Sequence, residues 1–356
     1  MKTLTVRLVA VALALAFPLG SHAAPPPTSD VFRTIRGQAV EGKIASVHGL
    51  LVVVATKQGH SILPLAQLDE ASLDKVATFL ATQPATPPRW NDSASAVAKS
   101  LNKRLLILQG DKLVPLALGD RPEPEFYLAY CSAHWCPPCR AFTPKLVAEY
   151  TRLQAKYPGM FELIFISSDE SAGDQAKYAR EAKMPWPVVR FPAAGSVKPI
   201  ERWHGPGIPD LIVTNREGHV IFKSYEGERY LGPGAVLANF AQLLTEIDPA
   251  NPATQRARHR LEGLMRIRAA ANAPVAAKPY LLSLDPRRYQ TLTTREFTAQ
   301  SKLDAAGKVS EVVSTTPELS YVLKQQFQSD AAEWLFLPAA ENGRAKECTI
   351  ELPVKI

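Results

Sequence analysis

Between residues 31 and 80 apolar positions fall in short runs broken by glycine. Stretches 40–47, 50–56 and 61–65 read as strands, with Gly42, Gly49 and Gly59 at turns. Residues 69–76 then read as a short capped helix. Residues 82–91, Thr-Gln-Pro-Ala-Thr-Pro-Pro-Arg-Trp-Asn, have the composition of a linker. Beyond it, 104–108 and 113–116 form a predicted hairpin around Gln109-Gly110-Asp111-Lys112. Residues 126–130 and 161–166 are continuous apolar runs, the pattern of buried strands, and 141–150 between them has helical spacing. A second hairpin joins 211–214 to 219–224 across Asn215-Arg216-Glu217-Gly218, and 231–247 closes the region as an amphipathic helix. Strands separated by helices imply parallel pairing, with chemistry presented at the C-terminal ends of the strands.

Asp248-Pro249-Ala250-Asn251-Pro252 stops that helix. Residues 256–268 read as a basic helix within a connector spanning 248–279, expected to lie solvated. Residues 280–356 follow the order strand (296–303), turn, strand (308–315), helix (317–330), Trp334-Leu335-Phe336-Leu337-Pro338, Asn342-Gly343 and a last strand. The chain is therefore expected to be multidomain, combining α/β and α+β units.

At 356 residues, 46% hydrophobic and 21% charged, the composition is that of a folded chain long enough for two or three domains. Its net charge of +7 is a mild and widely spread excess, which argues against nucleic acid as a partner. Lys2 and Arg7, an apolar run over 8–19 and then Ser21-His22-Ala23-Ala24 describe a secretory signal over 1–23, cut after Ala23. The expected destination is an oxidising compartment, the bacterial periplasm.

Candidate chemistry centres on Cys136-Pro137-Pro138-Cys139 at a strand-to-helix turn. Cys136 falls at the expected helix start, where unpaired N–H groups and the helix dipole favour a thiolate, which makes it the candidate nucleophile. Cys139, one turn on, is the candidate resolving thiol, able to attack a mixed disulfide formed on Cys136. Pro137 suits the first helical turn. A CxxC pair also occurs in zinc sites and in merely structural disulfides. Cys131 and His134 lie close by, but no second cysteine pair completes a zinc set. Cys131 reads as a buried small hydrophobe, Cys348 as part of a strand, and His48 and His60 as turn residues.

Trp135-Cys136-Pro137-Pro138-Cys139-Arg140 followed by Phe142-Thr143-Pro144 resembles the thioredoxin superfamily, in its tryparedoxin and nucleoredoxin branch. Gly207-Ile208-Pro209-Asp210-Leu211 matches the family's cis-proline loop, and Lys183-Met184-Pro185-Trp186 a further element of the branch. The likeness covers 95–247. It implies a thioredoxin-like α/β sandwich and a protein-disulfide oxidoreductase that needs no cofactor beyond its redox-active Cys136–Cys139 disulfide, and no metal. Trp135, Ile208 and Pro209 would line the substrate groove, with Ile208 offering its backbone to an extended peptide. The family's buried carboxylate six residues before the first cysteine is here Tyr130, which leaves Asp169 and Glu170 as candidates for a proton relay.

Residues 31–80 resemble a small SH3-like β-barrel, and 280–356 the C-terminal domain of TonB-like proteins. These likenesses imply docking modules, the latter for an envelope protein. The partners implied are cysteine-containing protein substrates and an upstream membrane or periplasmic redox partner. The competing reading is a non-enzymatic envelope docking protein whose CxxC is a structural disulfide.

Overall fold

The computed structural model describes residues 30–355, apart from 49, 84–87, 193–194, 196, 203 and 293–295. The expected signal over 1–23 lies outside the described residues.

The first unit has strands β1 (Asp30–Arg33), β2 (Ala39–His48), β3 (Leu51–Thr56) and β4 (Gly59–Pro64), then helix α1 (Glu70–Leu80). Asp69 caps α1 by accepting the Ser72 N–H at 2.9 Å. The sheet runs β1-β2-β3-β4, antiparallel throughout, with β1 and β4 at its two edges. It is an open meander and not the closed barrel expected from the sequence. Closure is not needed to shelter it: Leu51, Val52, Val53 and Val54 are all buried, so β3 is covered on both faces. Gly42, expected at a turn, lies inside β2. A Cβ there would stand 2.2 Å from the Ala55 carbonyl oxygen, so glycine is what allows β2 and β3 this close approach.

The middle unit contains α2 (Ala96–Leu101), β5 (Leu105–Gln109), β6 (Lys112–Pro115), β7 (Phe126–Ser132), α3 (Pro137–Lys156), β8 (Phe161–Ser167), α4 (Ala172–Glu181), β9 (Val188–Val189), α5 (Lys198–Glu201), β10 (Asp210–Asn215), β11 (Val220–Lys223), the short β12 (Tyr225–Glu226) and β13 (Arg229–Tyr230), and α6 (Pro233–Glu246). Seven strands form one sheet in the order β11-β10-β7-β8-β9-β5-β6. The β7–β8 and β8–β9 pairs are parallel, while β10 runs antiparallel to β7. All seven residues of β7 are buried, and alternation splits them between two cores. Phe126, Leu128 and Tyr130 join Leu146 of α3 and Phe240 of α6, whereas Tyr127, Ala129 and Cys131 join Val97 of α2 and Ile200 of α5.

Helix α7 (Pro252–Ala269) does not lie free as a solvated connector. Ala257 and Leu261 are buried in the core that also holds Leu73 of α1 and Phe240 of α6. Arg260 and Arg268 form ion pairs with Glu70 and Asp74 of α1 at 2.5 and 2.6 Å. On the other side, the His259 ring hydrogen-bonds the Phe336 carbonyl at 2.7 Å. Among the described residues, no helix is long and apolar enough to cross a membrane.

The last unit has β14 (Lys278–Leu281), β15 (Glu296–Leu303), β16 (Val309–Thr316), α8 (Tyr321–Ala331), β17 (Leu335–Leu337), β18 (Ala339–Glu341), β19 (Arg344–Lys346) and β20 (Cys348–Lys355). A three-stranded sheet, β16-β15-β20, packs Phe297 edge-on against Phe327 of α8, which in turn meets Trp334. Two short ladders, β14–β17 and β18–β19, complete it.

Candidate active site

Strand β7 ends at Ser132, and four residues later Cys136 caps α3. Cys136 and Cys139 are joined in a disulfide, with their Cα atoms 5.2 Å apart. The Cys139 N–H points at Cys136 Sγ from 3.2 Å, so the helix start directs a backbone donor at this sulfur. A thiolate released there on reduction would be stabilised by that N–H and by the helix dipole. Pro137 and Pro138 occupy the first helical positions, where a missing N–H leaves no hydrogen bond unmade, and Pro144 lies inside α3. Cys139 is fully buried and Cys136 is 3% exposed, which leaves Cys136 as the sulfur at the surface.

Trp135 projects beside the disulfide with 58% of its surface exposed, its indole N–H donating to the Ser168 carbonyl at 3.3 Å. Opposite, the Ile208–Pro209 peptide bond is cis, and the Ile208 carbonyl oxygen lies 3.8 Å from Cys136 Sγ. The structure thus brings Trp135, Cys136, Cys139, Ile208 and Pro209 together at the C-terminal end of β7. Asp169 is buried one step away. One carboxylate oxygen accepts the His134 N–H at 2.7 Å and the other the Ser167 hydroxyl at 2.7 Å, so it anchors the turn that carries Trp135. Glu170 is exposed. His134 faces Glu181 through Nε2 at 2.9 Å, and this contact holds the Glu181 carboxyl below its ordinary value.

Under the helix, position 130 supplies a hydroxyl instead of a carboxylate. The Tyr130 hydroxyl meets that of Thr143, which reaches that of Tyr178 at 2.6 Å, which in turn reaches Ser132 at 3.2 Å. Burial raises the Tyr130 phenol well above its ordinary value, so Tyr130 stays uncharged at neutral pH. Cys131 sits on β7 opposite Asp210, and Cys348 pairs with Leu303 at the start of β20, in the last unit.

Sequence reasoning did not single out His204, Asp210, Tyr225 and Tyr230, which surround the cis-proline loop. Asp210 is fully buried, accepting the Gly205 N–H at 2.9 Å and facing His204 Nδ1 at 3.2 Å. The available signal was Tyr225-Glu226-Gly227-Glu228-Arg229-Tyr230, two short arms about a glycine.

A protein-family profile described as thioredoxin-like matches residues 125–220. Nucleoredoxin of Danio rerio is 42% identical over 94 residues, 26% of this chain and 22% of that protein. Nucleoredoxin of Bos taurus is 43% identical over 94 residues, 26% of this chain and 21% of that protein. The chain thus spans about a fifth of the length of the curated relatives it matches. Among solved structures, tryparedoxin from Trypanosoma brucei is 32% identical, covering 36% of this chain and 86% of that one, with a TM-score of 0.30. Residues 125–220 of this chain match a thioredoxin-like domain, and over 94 residues the chain is similar in sequence to nucleoredoxins.

Proposed function

We propose that the protein is an exported thiol–disulfide oxidoreductase that acts on protein disulfides through Cys136 and Cys139. The observation that carries this reading is a sulfur at a helix N-terminus, beside a cis-proline carbonyl, already bonded to a second sulfur one turn away. In the reductive direction the Cys136 thiolate attacks a substrate disulfide, forming a mixed disulfide and releasing one substrate thiolate. The Cys139 thiolate then attacks Cys136 Sγ, releasing the second substrate thiolate and re-forming the Cys136–Cys139 bond. Two electrons and two protons pass to the substrate, and a membrane or periplasmic dithiol partner returns them. Trp135 and the Ile208 backbone form the groove for the substrate segment. The flanking units on either side of the dithiol domain serve to dock envelope proteins.

Insulin reduction by the purified protein tests this. Wild type accelerates turnover with a dithiol reductant, Cys136→Ser does not, and Cys139→Ser accumulates a mixed disulfide with substrate. Equal rates for wild type and Cys136→Ser reject the enzymatic reading in favour of a docking protein with a structural disulfide.

A further inference from the structure

We propose that Tyr230 is a positioning residue of this site. Its hydroxyl, steadied by the Tyr225 ring, fixes the Pro209 carbonyl so that the Ile208 backbone is presented to an extended polypeptide substrate. The inference rests on the oxidoreductase reading above.

Tyr225 and Tyr230 are direct cross-strand partners on the β12–β13 ladder, which stands outside the seven-stranded sheet. Their rings pack with centroids 4.7 Å apart. The Tyr230 hydroxyl donates to the Pro209 carbonyl at 2.7 Å. The Tyr225 ring lies flush on the loop, where a Cβ at Gly205 would stand 2.0 Å from its edge and one at Gly207 3.0 Å from its hydroxyl. Within the loop, Asp210 takes the Gly205 N–H and faces His204. The loop 204–210 is thus held by two phenols of the β12–β13 ladder and by its own carboxylate. Ile208, whose carbonyl approaches Cys136 Sγ, sits in its middle.

This grip matters because strand-like recognition depends on main-chain hydrogen bonds, whose geometry tolerates little displacement of the receiving backbone. Burial raises both phenols above their ordinary values, with the Asp210 charge adding to it, so Tyr230 stays a donor at neutral pH. Tyr230 also keeps 48% of its surface exposed. It is anchored on the cis-proline loop just before β10, while Trp135 is held to Ser168 just after β8. A peptide entering between the two aromatics meets the Ile208 backbone.

The full chain carrying Tyr230→Phe is compared with wild type on two substrates: insulin, which must dock a polypeptide segment, and 5,5′-dithiobis(2-nitrobenzoate), a small disulfide that need not. Loss of one hydrogen bond raises KM for insulin about fivefold, with kcat within about twofold and the small-disulfide rate unchanged. Gly205→Ala, which displaces the Tyr225 ring while removing no hydroxyl, moves KM in the same direction. An unchanged insulin KM in both variants overturns the inference, as does an equal loss on both substrates, which would mark Tyr230 as a structural support. A wild type inert toward both substrates overturns the oxidoreductase reading and this inference with it, whereas a wild type active on both leaves the variants to decide this inference alone.

Discussion

The Tyr130 hydroxyl lies 2.8 Å from that of Thr143, one helical turn beyond Cys139, and 3.4 Å from the Cys139 carbonyl. A tyrosine that stays neutral there fills space and binds α3 to β7, but it cannot take up the proton that Cys139 would lose in the proposed reaction. Tyr130→Phe keeps the ring and removes the hydroxyl, leaving Thr143 bonded to Tyr178 and to the Cys139 carbonyl. The expected cost is about 1 kcal/mol of stability in a denaturant titration, with insulin reduction within about twofold of wild type.

Asp169 tests where that proton goes. Its two oxygens are engaged by the His134 N–H and the Ser167 hydroxyl. Asn in its place can still accept from His134 and donate to Ser167. The expected result for Asp169→Asn is a rate within about threefold of wild type and an unmoved pH–rate profile, as suits an anchor of the Trp135 turn. A profile that loses one limb would instead make Asp169 the proton acceptor.

Glu162 gives the fold a pH dependence of its own. Burial outweighs the hydrogen bonds from the Tyr150 hydroxyl and the Leu163 N–H and raises its carboxyl from 4.5 to about 7. Between those values the folded protein holds a proton that the unfolded chain has released. The stability from this group is therefore complete below pH 4.5 and lost as pH rises through about 7. Because Glu162 keeps partial exposure, the expected loss is on the order of 2 kcal/mol, less than the full shift implies. Glu162→Gln should flatten the stability–pH curve over that window, measured by chemical denaturation at several pH values.

Helix α7 binds the first unit to the rest chiefly through apolar packing. Leu261→Ala, at a position 6% exposed, should cost about 2–4 kcal/mol. Glu70→Ala removes the exposed pair with Arg260 and should cost below about 1 kcal/mol. Thermal melts of both variants check the ranking, and a smaller loss for Leu261→Ala than for Glu70→Ala would show that ion pairs hold the first unit in place.

Local signals carried much of the fold. The apolar runs at 126–130 and 161–166 became β7 and β8, because a strand buried on both faces needs continuous apolar sequence. Asn215-Arg216-Glu217-Gly218 became a turn because Gly218, at φ 78°, can take the left-handed conformation it requires. The two cysteines and the prolines after Cys136 were legible because their spacing encodes the chemistry of a helix start, and Pro209 because its surroundings resemble the cis-proline loop of the thioredoxin superfamily.

What the sequence determined by itself was strands such as β7, β8 and β10, helices such as α3, α6 and α7, and the dithiol at the head of α3, since these depend on residues near one another in the chain. Only the tertiary structure decided that the first sheet stays open and that α7 packs on α1, because that packing joins elements about 190 residues apart, as Glu70 and Arg260 are. It alone decided that Tyr225 and Tyr230 brace the cis-proline loop. That contact requires a hairpin and a loop to meet at one particular height above the sheet, and no periodicity along the chain records such a meeting.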